Sequence, residues 1–90
     1  MAPPERYRLI LVKEVVRIYR RLPRDLRRRM RDALRKIAHD PRLMGSERLK
    51  GQGFYRHRVG DWRIVYNIQD DVRVVLVLKI GSRGQVYRER

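Results

Sequence analysis

The chain has 90 residues, and its 24 lysines and arginines against 10 aspartates and glutamates give a net charge of +14 at pH 7. A chain of this length is expected to form one domain, residues 1–90, with one small core, which excludes a cofactor cleft between two domains. Cysteine is absent and only two histidines occur, so thiol chemistry is excluded and little remains to hold a metal. We therefore expect no cofactor and no metal. No apolar run is long enough for a membrane span, and the first residues lack an apolar signal core, so we expect a cytoplasmic protein with a polyanionic partner.

The first half of the chain predicts one strand followed by two helices. The segment Tyr7–Val12 is predicted to be a short strand, because Tyr7, Leu9 and Leu11 alternate with Arg8 and Ile10. The apolar spacing then becomes helical as far as Leu22, and Pro23 ends that helix or begins the next, because proline fits only the first helical turn. The second helix is apolar on one face and largely arginine on the other, and it stops at Asp40-Pro41. The two helices should form a hairpin whose basic side is either a solvated face or a binding face.

The second half predicts a loop and three strands. Residues 41–53 contain three glycines and are assigned to a connecting loop. The strands are Phe54–Val59, Trp62–Ile68 and Val72–Ile80, the first two joined by a two-residue turn. The element order is β-α-α-β-β-β. The predicted fold class is therefore α+β, with a helical hairpin packed on one face of a mostly antiparallel sheet.

Strand periodicity predicts which side chains face the helices, because alternate residues share a face. In the last strand the helix-facing set is Val74, Leu76, Leu78 and Ile80. His57 falls on the helix-facing side of its own strand. A partly buried, hydrogen-bonded histidine is therefore favoured over a catalytic or metal-binding one.

Three arginines should meet on the opposite, open face of the sheet. Arg56, Arg58 and Arg63 share that face, and the tight turn between their strands brings them close together. Guanidinium groups in one small area repel one another unless an anion lies between them, so the cluster is typical of a phosphate site. The alternative is three independent surface arginines whose stems partly cover exposed Val65 and Val75.

The polar tail contains one aromatic residue, Tyr87, that is not part of any periodic apolar pattern. Tyr87, beside Arg83, either stacks on a nucleobase or belongs to a C-terminal strand that closes over the sheet. No standard catalytic set of residues is present. An enzyme built from these side chains would act by electrostatics and positioning, and RNA permits this because its own 2′-hydroxyl supplies the nucleophile.

Several segments carry recognisable motifs: RLKG at residues 48–51, YRHRVGDWRIVY at residues 55–66, and GSR and VY at residues 81–83 and 86–87. Together with the order of elements, they resemble the RelE/ParE superfamily of toxins from toxin–antitoxin systems, over nearly the whole chain. Members of the RelE branch are mRNA interferases that cleave message in the ribosomal A site. The ParE branch instead inhibits DNA gyrase and lacks the basic catalytic constellation.

The resemblance implies five catalytic residues, Arg56, Arg58, Arg63, Arg83 and Tyr87. It gives phosphate and transition-state contacts to Arg63 and Arg56, the leaving-group side to Arg83, and base stacking and alignment to Tyr87. All five positions hold suitable residue types, which favours the RelE branch. Some members carry lysine at the first-strand pair, where it can serve as the base. Arginine is a poor general base, so the pair here implies slow cleavage that depends on ribosomal RNA to position the message.

The implied function is a ribosome-dependent mRNA endoribonuclease toxin that inhibits translation. Its implied partners are the mRNA, the ribosomal A site and a cognate acidic antitoxin. The alternative is a ParE-like, non-enzymatic inhibitor of DNA gyrase. A third possibility is a toxin-like domain that only binds RNA.

Overall fold

The computed structural model describes residues 6–82, which form two helices and five strands. In chain order these are β1 (Arg8–Leu11), α1 (Lys13–Arg21), α2 (Arg24–His39), β2 (Ser46–Arg48), β3 (Phe54–Val59), β4 (Trp62–Gln69) and β5 (Val74–Ser82). The strands form one sheet in the order β1-β5-β4-β3-β2. β1 pairs in parallel with β5, and the other three pairs are antiparallel. The predicted α+β class and the mostly antiparallel sheet are confirmed.

The helix boundaries follow from local chemistry. Pro23 separates the two helices and precedes the first residue of α2 in an extended conformation, with φ −56° and ψ 153°. At the other end of α2, the amide of Asp40 still donates to the carbonyl of Lys36. Pro41 has no amide hydrogen with which to continue the ladder. The predicted break at Asp40-Pro41 therefore falls where the helix ends.

The core lies between the two helices and one face of the sheet. It is formed by apolar side chains from both helices and from the three central strands: Val15, Leu22, Met30, Ala33, Leu34, Ile37, Val59, Ile64, Tyr66, Ile68, Val75, Val77 and Ile80. Burial of each large aliphatic side chain contributes roughly 1.5–3 kcal/mol. Trp62 is half-buried and packs against this cluster.

The segment predicted as a loop, residues 41–53, contains an additional strand. β2 pairs antiparallel with β3 and forms one edge of the sheet, with Glu47 opposite Arg56. Its three residues show no apolar alternation, so the sequence pattern did not indicate a strand. The strand exists because β3 offers it a row of backbone hydrogen-bonding groups.

A β-bulge interrupts the pairing of β4 with β5. Val65 pairs with Lys79, but the next residue, Tyr66, pairs with Val77. Leu78 is therefore an extra residue in β5. An extra residue of this kind reverses the alternation of faces along the strand.

The bulge corrects the predicted faces of β5. Val75 and Val77, expected on the open face, are fully buried in the core. Leu76, expected against the helices, is half-exposed and pairs with Asn67 on the open face. Ile80 lies beyond the bulge and faces the core as predicted. Apolar residues occupy both alternations of this strand, so the pattern alone could not locate the extra residue.

Asp70, in the turn between β4 and β5, ties together two distant segments. Its carboxylate accepts hydrogen bonds from the Arg42 guanidinium at 2.8 and 3.2 Å and from the Tyr7 hydroxyl at 2.6 Å. The hydrogen bonds from Arg42 and, to a smaller extent, from Tyr7 lower the pKa of Asp70 to about 2. The Arg73 guanidinium lies over the Tyr7 ring, 4.8 Å from its centroid. The residues before β1 and the segment after α2 are thus fixed to the same turn.

We expect Gly53→Ala to destabilise the fold more than Gly45→Ala. Both glycines have positive φ, +79° and +97°, where a side chain costs roughly 1–2 kcal/mol. An added Cβ at Gly53 would also lie 2.7 Å from the carbonyl oxygen of Ile68, whereas at Gly45 the nearest atom, Cε1 of His57, would be 3.5 Å away. Denaturant unfolding of the two variants measures the difference in the free energy of unfolding. Equal losses would contradict the prediction.

Candidate phosphate-binding site

A cleft of about 820 Å³ opens at the β2 edge of the sheet. It is lined by residues of β2, β3 and β4 and of the preceding loop: Gly45, Ser46, Glu47, Arg56, His57, Arg58 and Arg63. Three of the five residues predicted for the site, Arg56, Arg58 and Arg63, therefore line one cleft. The other two, Arg83 and Tyr87, lie outside the described residues.

The register of β3 and β4 holds these arginines on one face. Arg58 pairs directly with Arg63, and Arg56 pairs with Val65. Directly paired residues of an antiparallel sheet point to the same side, and like charges in such a pair are destabilising. The register is held from the other side of the sheet, where Ile64 and Tyr66 of β4 are buried in the core. The three arginines therefore share one face and one cleft, as a phosphate site would require.

The three arginines differ in how firmly they are held. Arg63 is only 6% exposed, and its guanidinium donates to the carbonyl of Trp62 at 3.2 Å. The side chain of Arg56 is 22% exposed, and Arg58 is exposed. Arg63 thus provides a fixed charge at the base of the cleft. Arg58 provides a more adaptable charge at its rim.

Glu47 is a site residue that the sequence did not reveal. It stands directly opposite Arg56 on β2, and its Oε1 accepts a hydrogen bond from the Arg56 guanidinium. Among the described residues it is the only carboxylate that lines the cleft. The hydrogen bond from Arg56 lowers its pKa, and the charges of Arg58 and Arg63 lower it further. The sequence pattern predicts a loop for this segment, so nothing in it places an acid beside the arginines.

Behind the cleft, a chain of hydrogen-bonding groups attaches β2 to the core. The hydroxyl of fully buried Tyr66 donates to the carbonyl of Pro41 at 2.6 Å and lies 3.0 Å from the Ser46 hydroxyl. The Ser46 oxygen lies 3.5 Å from Nδ1 of His57. Burial raises the pKa of Tyr66, so its hydroxyl keeps its proton and remains a donor at neutral pH. These contacts fix the strand that carries Glu47.

The side chain of His57 lies on the side of the sheet that the alternation along its strand predicts. It pairs with fully buried Ile64, so its side chain lies on the helix side of the sheet. Burial lowers its pKa, and the positive charge of Lys36 lowers it further. The imidazole is therefore neutral at pH 7. Its contact with Ser46 agrees with the predicted half-buried, structural histidine.

Two other features, a metal site and a membrane-spanning helix, are not found within residues 6–82. No group of three or more histidine, cysteine or acidic side chains within residues 6–82 is arranged to hold a metal ion. Neither α1 nor α2 is long and apolar enough to cross a membrane.

We expect the protein to lose stability as the pH falls from about 7.5 to about 5.5, in part because of His57. Its pKa is lowered from 6.5 in the folded state. Around that pH the unfolded chain therefore binds more protons than the folded chain does. Lowering the pH then favours unfolding. His57→Gln should flatten this part of the stability profile. The control is His39→Gln, which changes an exposed histidine at the end of α2. Denaturant unfolding across this pH range measures the effect, and an unchanged slope in His57→Gln would refute it.

Comparison with known proteins assigns the chain to a family. A family model described as "ParE toxin of type II toxin-antitoxin system, parDE" matches residues 6–87. No curated protein sequence matches the chain significantly.

Solved structures show the same architecture. A chain of the archaeal RelE–RelB complex from Pyrococcus horikoshii OT3 is 29% identical, with a TM-score of 0.78 over 89% of this chain and 98% of that one. The isolated E. coli RelE toxin is 24% identical, with a TM-score of 0.74 over 84% and 83% of the two chains. The YoeB/ParE toxin from Agrobacterium tumefaciens is 20% identical, with a TM-score of 0.71 over 83% and 96%.

The family model spans nearly the whole chain, and the helical hairpin on a five-stranded sheet matches the RelE structures. The chain therefore belongs to the ParE toxin family of type II toxin–antitoxin systems, within the RelE/ParE superfamily, and is RelE-like in structure.

Proposed function

We propose that this toxin is a ribosome-dependent mRNA endoribonuclease that acts in the cytoplasm and inhibits translation. The observation that carries the proposal is the arginine cluster: Arg56, Arg58 and Arg63 line one cleft, and the last two are paired directly across the hairpin. The 29% identity to a chain of the Pyrococcus RelE–RelB complex supports the RelE branch.

The proposed reaction uses the substrate's own 2′-hydroxyl as the nucleophile and needs no metal or cofactor. The 2′-oxygen gives up its proton to water as it attacks the adjacent phosphorus, and the bond from phosphorus to the 5′-oxygen breaks. The 5′-oxygen takes up a proton, so a 2′,3′-cyclic phosphate and a 5′-hydroxyl remain. Negative charge on the phosphoryl oxygens increases in the transition state. A guanidinium that is already fixed, such as that of Arg63, stabilises this charge without reorganising.

The remaining roles follow the family pattern. We propose that Arg56 contacts the phosphate beside Arg63, that Arg83 acts on the leaving-group side, and that Tyr87 stacks on a base and aligns it. Arginine keeps its proton, so the pair Arg56 and Arg58 is a poor source of a general base. We therefore propose slow cleavage in which ribosomal RNA helps to position the message.

The second candidate function is inhibition of DNA gyrase without catalysis. The matching family model is named for ParE toxins, which favours it. In the ParE branch the basic catalytic constellation is absent, whereas here the cleft holds three arginines. Induced cells distinguish the two functions. Message fragments cut within reading frames on ribosomes support the nuclease, and intact messages with gyrase-dependent DNA breaks support the alternative.

We expect the double variant Arg63→Ala with Arg83→Ala to lose toxicity while remaining folded. Removal of one preorganised donor to a transition-state charge lowers the rate about 100- to 1000-fold. Growth and message integrity after induction without antitoxin measure the effect, and circular dichroism checks the fold.

The matched control is Arg17→Ala with Arg35→Ala, which removes two exposed arginines from the helices and leaves the cleft unchanged. It should remain toxic. If the cleft variant were as toxic as the parent at equal expression, the assigned roles would be wrong.

We also propose a cognate acidic antitoxin as the partner of this toxin. Similar chains from Pyrococcus horikoshii and E. coli were solved in complexes with RelB antitoxins. A chain with a net charge of +14 binds cellular RNA non-specifically unless an acidic partner covers its arginines. An extended antitoxin segment that folds on binding covers a large surface.

We expect the rate of association with the antitoxin to fall as salt is added, because opposite charges accelerate encounter. Arg56→Ala, Arg58→Ala and Arg63→Ala should each slow association, and Arg35→Ala on the outer face of α2 should have a smaller effect. Surface plasmon resonance over a salt series measures both rate constants. A salt-independent association rate, unaffected by the cleft substitutions, would show that inhibition uses another surface.

A further inference from the structure

Only one of the ion pairs recorded among residues 6–82 lies in the cleft. Glu14 pairs with Arg17 on the exposed side of α1, and Asp70 pairs with Arg42 at the β4–β5 turn. The third pair joins Glu47 to Arg56, and both of these residues line the cleft.

Strand pairing brings the carboxylate to this place. Glu47 and Arg56 are direct partners across β2 and β3, so their side chains leave the sheet side by side. The residue before Glu47, Ser46, lies 3.0 Å from the buried Tyr66 hydroxyl, which anchors the strand. The contact is therefore a built feature of the sheet edge and not a chance meeting of two long side chains.

The carboxylate lies on the solvent side of the pair. The Glu47 side chain is 66% exposed and that of Arg56 is 22% exposed. An anion that enters the cleft from solvent meets the carboxylate before it reaches the guanidinium. A guanidinium binds carboxylate and phosphate oxygens with the same fork of N–H groups, so the two anions compete for it.

We propose that Glu47 determines the strength and selectivity of phosphate binding by competing with the RNA phosphate for Arg56. The choice of RNA as the ligand rests on the proposed function. A phosphate that binds at Arg56 must displace the carboxylate, whose charge stays nearby and opposes binding. A lone phosphate gains little from this exchange. A strand that also engages Arg58 and Arg63 gains enough to complete it, so Glu47 favours a correctly seated strand over non-specific contacts.

The test compares the binding of an RNA that cannot be cleaved. The probe is a fluorescent single-stranded RNA of about ten nucleotides with 2′-O-methyl groups throughout, and anisotropy gives its Kd. Glu47→Gln keeps a hydrogen-bond acceptor but removes the charge, and it should bind the probe roughly threefold to tenfold more tightly than the parent. Glu14→Gln removes the same charge from the exposed pair on α1 and should change Kd less than twofold.

A double-substitution cycle isolates the contact. If Glu47 acts through Arg56, the gain from Glu47→Gln should largely disappear in an Arg56→Ala background. Thermal unfolding confirms that each variant is folded. Equal affinities of Glu47→Gln and Glu14→Gln would overturn the proposal by showing an effect of net charge alone. Weaker binding by Glu47→Gln would also overturn it, because the carboxylate would then position Arg56 for the phosphate.

Cleavage of message by the parent protein on ribosomes is measured separately. A parent that binds the probe but never cleaves message refutes the nuclease function. Tighter binding by Glu47→Gln in the same preparation still supports the role of Glu47. The two proposals therefore fail independently.

Discussion

Antiparallel pairing of β3 with β4 is the constraint on which both the core and the cleft depend. The pleat that directs Ile64 and Tyr66 into the core directs Arg58 and Arg63 to the opposite face. Burial of the apolar side favours this register strongly, because a slip by one residue would expose it. The same register forces two like charges into direct opposition. Burial on one side of the sheet thus maintains an arrangement of like charges on the other side that is unfavourable in itself.

The sequence predicted the parts of the molecule where one pattern dominates. β3 and the start of β4 have a clear alternation and a tight turn between them. Because alternate residues share a face, the sequence predicts that Arg58 and Arg63 lie on the same side. β5 is apolar on both alternations, so nothing in its composition indicated the bulge that buries Val75. β2 shows no apolar alternation of its own and is held by its pairing with β3 and by the contact of Ser46 with the buried Tyr66 hydroxyl. For that reason Glu47, the one acidic group that lines the cleft within residues 6–82, was not predicted as a site residue.

The two sides of β3 show how position alone changes the chemistry of neighbouring basic residues. Arg56 and Arg58 lie on the side that faces the cleft. His57, between them, points towards the helices and stays neutral at pH 7 because burial disfavours its charged form. Had its neighbours pointed inward, two guanidinium groups would lie in the core. A single strand therefore carries both a cationic surface and an uncharged hydrogen-bonding group, at a separation of one residue.

The bulge at Leu78 determines which residue stands beside the buried guanidinium. In the observed register Gly81 is opposite Arg63, and Lys79 is opposite Val65. A continuous ladder from Tyr66 and Val77 would instead place Ile80 opposite Arg63 and would turn Lys79 towards Ile64 in the core. One inserted residue thus keeps an ammonium group out of the apolar interior and leaves a neighbour without a side chain next to Arg63. Deletion of Leu78 from β5 would therefore alter the charged cleft on the other side of the hairpin. Leu78 itself carries no charge and is not among the residues that line the cleft.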